Sequence, residues 1–398
     1  MIRLSKRIER VEPSPTLAIS ARPKAMKARG IDIISFGAGE PDFETPEEVV
    51  EAGKAAMDAG KTRYTPASGI PELRAAVADD YERRGRNVDP DQVIMTVGGK
   101  QALYNATQVL FDPGDEVVIP APYWVSYPAQ LHLAGAIPKA ITTDVSEDYK
   151  LRPQALRQAL SGSSVRGLIL CSPSNPTGST YSEEELQELA AVLRDFPDVL
   201  VLYDAMYDRI YYDGEVAPDL VAVAPSLAGR VLTFNGFSKT YSMTGWRLGY
   251  AIGPSEVIAA MGILQSQSTS NATSFVQYAA LEALALDDSV IAERRDAFRG
   301  RRDLIVAALC AIDGVSCPTP SGAFYVFPDF SSFVGEDGQF EDDLELTKYL
   351  LDEAEVAVVP GSAFGSPGGL RLSYAMDSKT ITEGVERIKI SLNALTDQ

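Results

Sequence analysis

Seven short apolar runs punctuate the middle of the chain: Val93–Val97, Glu116–Ile119, Ile137–Ile141, Gly167–Cys171, Val199–Tyr203, Val231–Phe234 and Leu248–Ile252. Their length is that of a strand buried on both faces, too short for a core helix. Helix patterns lie between several of them. Ser182-Glu183-Glu184-Glu185 has capping-box spacing, and Leu186, Leu189 and Leu193 then share one face. Thr45-Pro46-Glu47-Glu48 predicts another start, with Thr45 as N-cap and the helix running to about Ala59. This alternation predicts the α/β class, a mostly parallel sheet covered by helices on both sides. Residues 17–29 read as a helix interrupted by Pro23. Residues 254–302 read as long helices broken at Ser266–Asn271. Residues 303–398 read as α+β, with strands near Ala323–Phe327, Val356–Val359 and Leu370–Tyr374. Residues 1–15 are polar and Pro-punctuated, like an arm. The chain thus divides into the arm (1–15), a large domain (46–290) and a smaller α+β domain (16–45 with 291–398).

The polar residues with chemical potential sit just past the ends of these runs. Gly98 and Gly99 follow Val97 and open a helix, a place where free amides and the helix dipole favour an anion. Asn175 follows the run ending at Cys171, Asp204 the run ending at Tyr203, and Ser238 with Lys239 the run ending at Phe234. Ligands bind at the carboxyl ends of strands in open α/β sheets. The stretch Asn235-Gly236-Phe237-Ser238-Lys239 continues to Gly245-Trp246-Arg247-Leu248-Gly249. A lysine amine in apolar surroundings loses its charge readily and attacks carbonyl carbons. A serine hydroxyl and an arginine guanidinium suit a phosphate. Together they read as a site for pyridoxal phosphate, an aldehyde with a phosphate handle. A solvated surface lysine explains Ser-Lys alone, but not the whole stretch.

Composition narrows the partners. With 36 basic and 55 acidic residues the formal charge is −19, which disfavours nucleic acid and anionic membrane surfaces. The three cysteines, Cys171, Cys310 and Cys317, form no Cys-x-x-Cys pair and read as reduced, buried thiols. His132 is the sole histidine, so histidine-based triads and metal sites are disfavoured. No secretory signal and no membrane-length apolar run is visible, which points to a cytoplasmic protein.

From about Pro13 to about Ala375, and most specifically in the lysine stretch, the sequence resembles the class I pyridoxal-phosphate aminotransferases. Within them it is similar to the bacterial aspartate aminotransferases of the type found in thermophiles, some of which also act on prephenate. The resemblance implies fold type I, with a seven-stranded sheet in the large domain, and a homodimer with shared sites. It implies Lys239 as the catalytic, cofactor-bearing lysine. Asp204 would meet the pyridine nitrogen; Asn175 and Tyr207 would meet the ring hydroxyl oxygen; Trp124 would stack on the ring. The phosphate would lie among Gly98, Gly99, Lys100, Ser238, Arg247 and Tyr64 of a second subunit. Arg371 and the Gly39 backbone would hold the substrate α-carboxylate beside Trp124 and Asn175. Lys100, Ser14 and Thr16 would meet a distal carboxylate. No metal is implied. The family usually carries Asp-Glu where this chain has Asp204-Ala205.

The residues leave alternatives open. Asn175 lies in a good turn, Asn-Pro-Thr-Gly; Asp204 suits a cap; Tyr64 suits packing; Lys100 suits a surface charge; Arg371 suits an exposed strand edge. The activity implied is amino transfer from L-aspartate to 2-oxoglutarate by a ping-pong route. Prephenate, alanine or aromatic acceptors are alternatives on the same scaffold. A pyridoxal-dependent lyase is an alternative of a different class, as is a non-catalytic pyridoxal-binding regulator.

Overall fold

All seven apolar runs become strands of one sheet. The computed structural model describes residues 2–11, 22–23, 25–336 and 338–396. In chain order the strands among them are β1 (Ile34–Ser35), β2 (Val93–Thr96), β3 (Glu116–Ala121), β4 (Ile137–Thr142), β5 (Val165–Cys171), β6 (Leu200–Asp204), β7 (Val231–Gly236), β8 (Gly249–Ile252), β9 (Tyr325–Val326), β10 (Val356–Ala357), β11 (Val359–Pro360) and β12 (Leu370–Ser373). The large sheet has the order β2-β8-β7-β6-β5-β3-β4. β3 to β7 pair parallel, whereas β8 runs antiparallel to β2 and β7. Parallel pairing needs a crossover, usually a helix. The 237–248 connection, which carries the lysine, contains no helix and returns the chain antiparallel.

Side chains alternate between the two faces at period two. Leu168 and Leu170 of β5 and Val201 and Tyr203 of β6 pack with Leu156, Leu186, Leu189 and Leu193. Ile169 and Leu202 point the other way, into a core with Leu103, Ala106, Leu131 and Ile258. Each fully buried aliphatic side chain contributes about 1.5–3 kcal/mol, so a sheet covered twice is strongly fixed in register. The helix over Glu183–Arg194 opens with the expected capping box: the Glu185 N–H donates to Ser182 Oγ (3.2 Å), and the Ser182 N–H donates to Glu185 Oε2 (2.8 Å).

Smaller strands lie apart from this sheet. β11-β12-β9 is antiparallel, and β1 pairs parallel with β10. Their core joins Phe324, Leu350, Val356, Leu372 and Ile388 to Phe298, Ile305 and Leu309 of the helix Asp288–Cys310. The same helix places Ile291 in the core of the large sheet's Val93 and Met95, so one rod spans both.

Two expectations change. The helix Glu47–Asp58 is not capped by Thr45: its hydroxyl donates to the Ser242 carbonyl (2.8 Å) and accepts from Trp246 Nε1 (3.1 Å). Thr45 therefore ties the helix entrance to the lysine loop. Cys310 is exposed, and Cys171 and Cys317 are only half-buried, though all three are free thiols. Of the helix expected over 17–29, residues 22–23 and 25–28 are helical, and residues 17–21 and 24 lie outside the described residues. Among the described residues no helix is long and apolar enough to cross a membrane.

Candidate active site

Strand ends from the large sheet and segments from both ends of the chain enclose a cavity of about 640 Å³. Gly39, Gly99, Lys100, Trp124, Asn175, Asp204, Tyr207, Ser238, Lys239, Arg247 and Arg371 all line it. Residues more than three hundred positions apart in sequence are thereby brought together. Gly98 sits directly behind: with φ +76°, an added Cβ there would stand 2.4 Å from Arg247 Nη2. The missing side chain is what admits the guanidinium beside the start of the helix Gly99–Leu110, whose first amides have no helical partner. Tyr64 does not line the cavity of its own chain; its side chain is 90% exposed. Ser14 and Thr16 lie outside the described residues.

Lys239 donates from Nζ to the Gly39 carbonyl. Burial lowers its pKa to about 8, Glu40 opposes that, and Arg371, Arg247 and Lys100 push it further down. The amine is therefore far easier to deprotonate than a surface lysine. Asp204, the last residue of β6, is buried and accepts from the Tyr127 hydroxyl (2.7 Å) and the Met206 N–H (3.2 Å). Burial raises its pKa, and these two hydrogen bonds work against the rise. Arg371 on β12 is buried, not an exposed edge charge. Its Nη1 donates to Asn175 Oδ1 (3.1 Å) and its Nη2 to the Gly37 carbonyl (3.0 Å). The Tyr325 ring lies 4.7 Å and the Phe364 ring 5.1 Å from its guanidinium carbon. Its Nε is buried and has no partner among the described residues. The Lys100 amine lies 4.9 Å from the Trp124 ring centre, and Trp124 meets Tyr127 edge-on at 5.4 Å. Burial, then Arg247, lowers the Lys100 pKa.

The charge of the cavity opposes that of the chain. Lys27, Lys100, Lys239, Arg247 and Arg371 line it, against Glu40 and Asp204. The ion pairs among the described residues lie elsewhere, as between Arg84 and Asp208, Arg301 and Asp42, or Arg387 and Asp32. Cavity cations without an ion-pair partner among the described residues, of which Arg371 is buried, beside a buried carboxylate that lacks a cation, fit an anionic ligand with one basic atom. Pyridoxal phosphate with an amino-acid substrate has that chemistry: a phosphate, carboxylates and a ring nitrogen.

Sequence reasoning missed Tyr127, Tyr325 and Glu40. Tyr127 stands three residues after Trp124 in the first turn of the helix Ser126–Ala134, where its N–H donates to the Trp124 carbonyl (3.0 Å). Tyr325 lies in a strand that was foreseen, but its hydroxyl contact with Tyr207 (3.0 Å) joins two distant segments. Glu40 accepts from Thr244 Oγ1 (3.0 Å) across a similar gap.

A profile of aminotransferase class I and II matches residues 31–388. The chain belongs to this family. It is 46% identical to the aspartate/prephenate aminotransferase of Cereibacter sphaeroides, covering 97% of this chain and 98% of that one. It is 43% identical to the aspartate aminotransferase of Bacillus subtilis, with 98% of both covered. Among solved structures it is similar to the aspartate aminotransferase of Rhizobium meliloti at TM-score 0.94 and 42% identity, covering 99% of each chain. The Thermus thermophilus aspartate aminotransferase with maleate matches at TM-score 0.92 and 41% identity, over 98% of this chain and 100% of that one. The family assignment and the seven-stranded sheet agree on fold type I.

Proposed function

We propose that the chain is a pyridoxal 5'-phosphate-dependent aspartate aminotransferase that moves the amino group of L-aspartate to 2-oxoglutarate, giving oxaloacetate and L-glutamate by a ping-pong route. The observation that carries this reading is the half-buried, easily deprotonated Lys239 amine in one cavity with Asp204 and Arg371. When bound, the cofactor supplies an electron-accepting ring joined to the substrate α-carbon. Asp204 would face the ring nitrogen and favour its protonated form, with the Tyr127 hydroxyl and the Met206 amide favouring the ionised carboxylate against burial. Neutral Lys239 takes the α-proton from the substrate and delivers it again at the other end of the transfer. Arg371 binds the α-carboxylate, and Asn175 orients the guanidinium. Asn175 and Tyr207 would hold the ring hydroxyl oxygen, and Trp124 would pack on the ring. The amides of Gly98, Gly99 and Lys100, with Ser238 and Arg247, hold the phosphate.

Lys100 serves the distal carboxylate, helped by Ser14 and Thr16. Because one cation suffices for either acid, prephenate is a second acceptor, in line with the name of the Cereibacter relative. Tyr64, exposed on its own chain, reaches the phosphate of a second copy, so the working unit is a homodimer. The arm at 1–15, large domain at 46–290 and small domain at 16–45 and 291–398 belong to the same proposal, as does a cytoplasmic setting. Loading the protein with the amino form of the cofactor and adding oxaloacetate, prephenate, pyruvate or phenylpyruvate separately tests it. Fast recovery of the starting cofactor spectrum with oxaloacetate supports the reading, and comparable recovery with prephenate adds the second acceptor. No recovery with any acceptor overturns it.

A further inference from the structure

A buried charge network lies behind the lysine loop, outside the cavity. Asp208 follows Tyr207, and Asn235 stands four residues before Lys239. Asp208 Oδ2 accepts from Asn235 Nδ2 (2.8 Å) and from Arg84 Nη1 (2.6 Å). Asn235 Oδ1 in turn accepts from the Gly236 N–H (2.7 Å). Arg84 is also paired with Asp80, which Arg209 approaches from the other side at 3.2 Å. Asp80 and Asp208 are 3% and 7% exposed at their side chains, and Arg84 is 15%. Burial works against the Arg84 charge, but Asp208 and Asp80 outweigh it and hold its pKa above the ordinary value.

Such a network is a poor device for stability alone. Replacing buried ion pairs with apolar residues of similar volume is often neutral or stabilising. Here the surroundings are apolar and aromatic: Tyr81, Phe237, Tyr241 and Tyr250. Asp208 Oδ1, Arg84 Nε and Arg209 Nε are buried without a partner among the described residues. Among the described residues, the Asp208–Asn235 hydrogen bond is the direct side-chain tie between the turn after β6 and β7. One end of that tie carries Tyr207; the other carries Ser238 and Lys239.

We propose that Asp208, held by Arg84, is a positioning residue that fixes Tyr207 and Lys239 relative to one another at the floor of the cavity. This deepens the aminotransferase reading and rests on it for the identity of the reaction. The test uses the cofactor-loaded protein and two variants, D208N and the double variant R84M/D208L, in which the charges are replaced by apolar groups. In each, kcat and KM for aspartate are measured, with melting temperature. In the cofactor-free protein, the pH midpoint for labelling Lys239 with an amine-reactive reagent is measured as well. The groups that act on that amine, Glu40, Arg371, Arg247 and Lys100, are unchanged in both variants.

The expected result is a fall in kcat of about 10- to 100-fold, as for small misplacements of a reacting group. KM should stay within about threefold of the parent, since the groups that bind substrate are intact. The labelling midpoint should move from its value of about 8, and both variants should keep a cooperative melt. Parent-like kcat and midpoint in both variants would overturn the proposal. So would failure of both to fold, because the network would then be structural. Should the parent lack activity on aspartate, the reaction assignment fails while the labelling midpoint still reads the Asp208–Arg84 pair.

Discussion

Replacing Tyr127 with Phe removes one hydroxyl and leaves the ring that packs beneath Trp124. The hydroxyl donates to Asp204 Oδ2 at 2.7 Å, and among the described residues the other donor to that carboxylate is the Met206 amide. Both side chains are buried, so water does not replace the lost bond. A hydrogen bond to a charged group contributes about 1.5–3 kcal/mol. The loss falls on ionised Asp204 and spares the protonated acid. The cofactor ring nitrogen needs the ionised form, so that energy converts to a cofactor dissociation constant raised by about 10- to 100-fold. The sign with pH follows. Burial already raises the Asp204 pKa and the Tyr127 bond opposes it, so Y127F raises it further. In the cofactor-free protein a raised carboxyl pKa makes stability fall as pH rises from the unfolded value through the folded one. Y127F should therefore be destabilised at neutral pH and less so in acid, and the acid limb of activity should move to higher pH. Cofactor titration followed by Trp fluorescence at two pH values, with thermal melts of the free protein, reads both effects. A dissociation constant within about twofold of the parent at both pH values, with an unmoved acid limb, would refute the reasoning.

Lys239 should react with amine reagents in the cofactor-free protein with a midpoint near 8, against 10.5 for an ordinary lysine. Because the folded pKa is depressed, the free protein should gain stability as pH rises from about 8 towards 10.5; a midpoint at the ordinary value would contradict the burial argument. R371Q should raise KM for both amino-acid and 2-oxo-acid substrates by about 10- to 100-fold by removing a charge-assisted pair, which steady-state kinetics with aspartate and 2-oxoglutarate checks. G98A should weaken cofactor phosphate binding, since its Cβ would stand 2.4 Å from Arg247 Nη2 at a φ of +76° that alanine disfavours. Inorganic phosphate competing equally well in parent and G98A would count against that account.

Much of the architecture was legible because buried strands advertise themselves. The seven apolar runs are short, and four of them are followed by the residue types that a ligand needs, so sheet and site candidates could be read together. The capping box at Ser182 was equally local, and it formed as read. Thr45 was misread because a hydroxyl beside a helix start can cap it or serve a distant carbonyl, and only the approach of Ser242 and Trp246 decides which.

By itself the sequence determined the strands, the class, the lysine loop and the net charge, all set by local pattern and composition. Tertiary structure alone decided what depends on distance between remote segments. It turned β8 antiparallel, buried Arg371 beside Asn175, and set Tyr127 on Asp204. It also gathered cations inside an acidic chain and so lowered the Lys239 pKa, because desolvation and charge repulsion act through space and leave no spacing in the sequence to read.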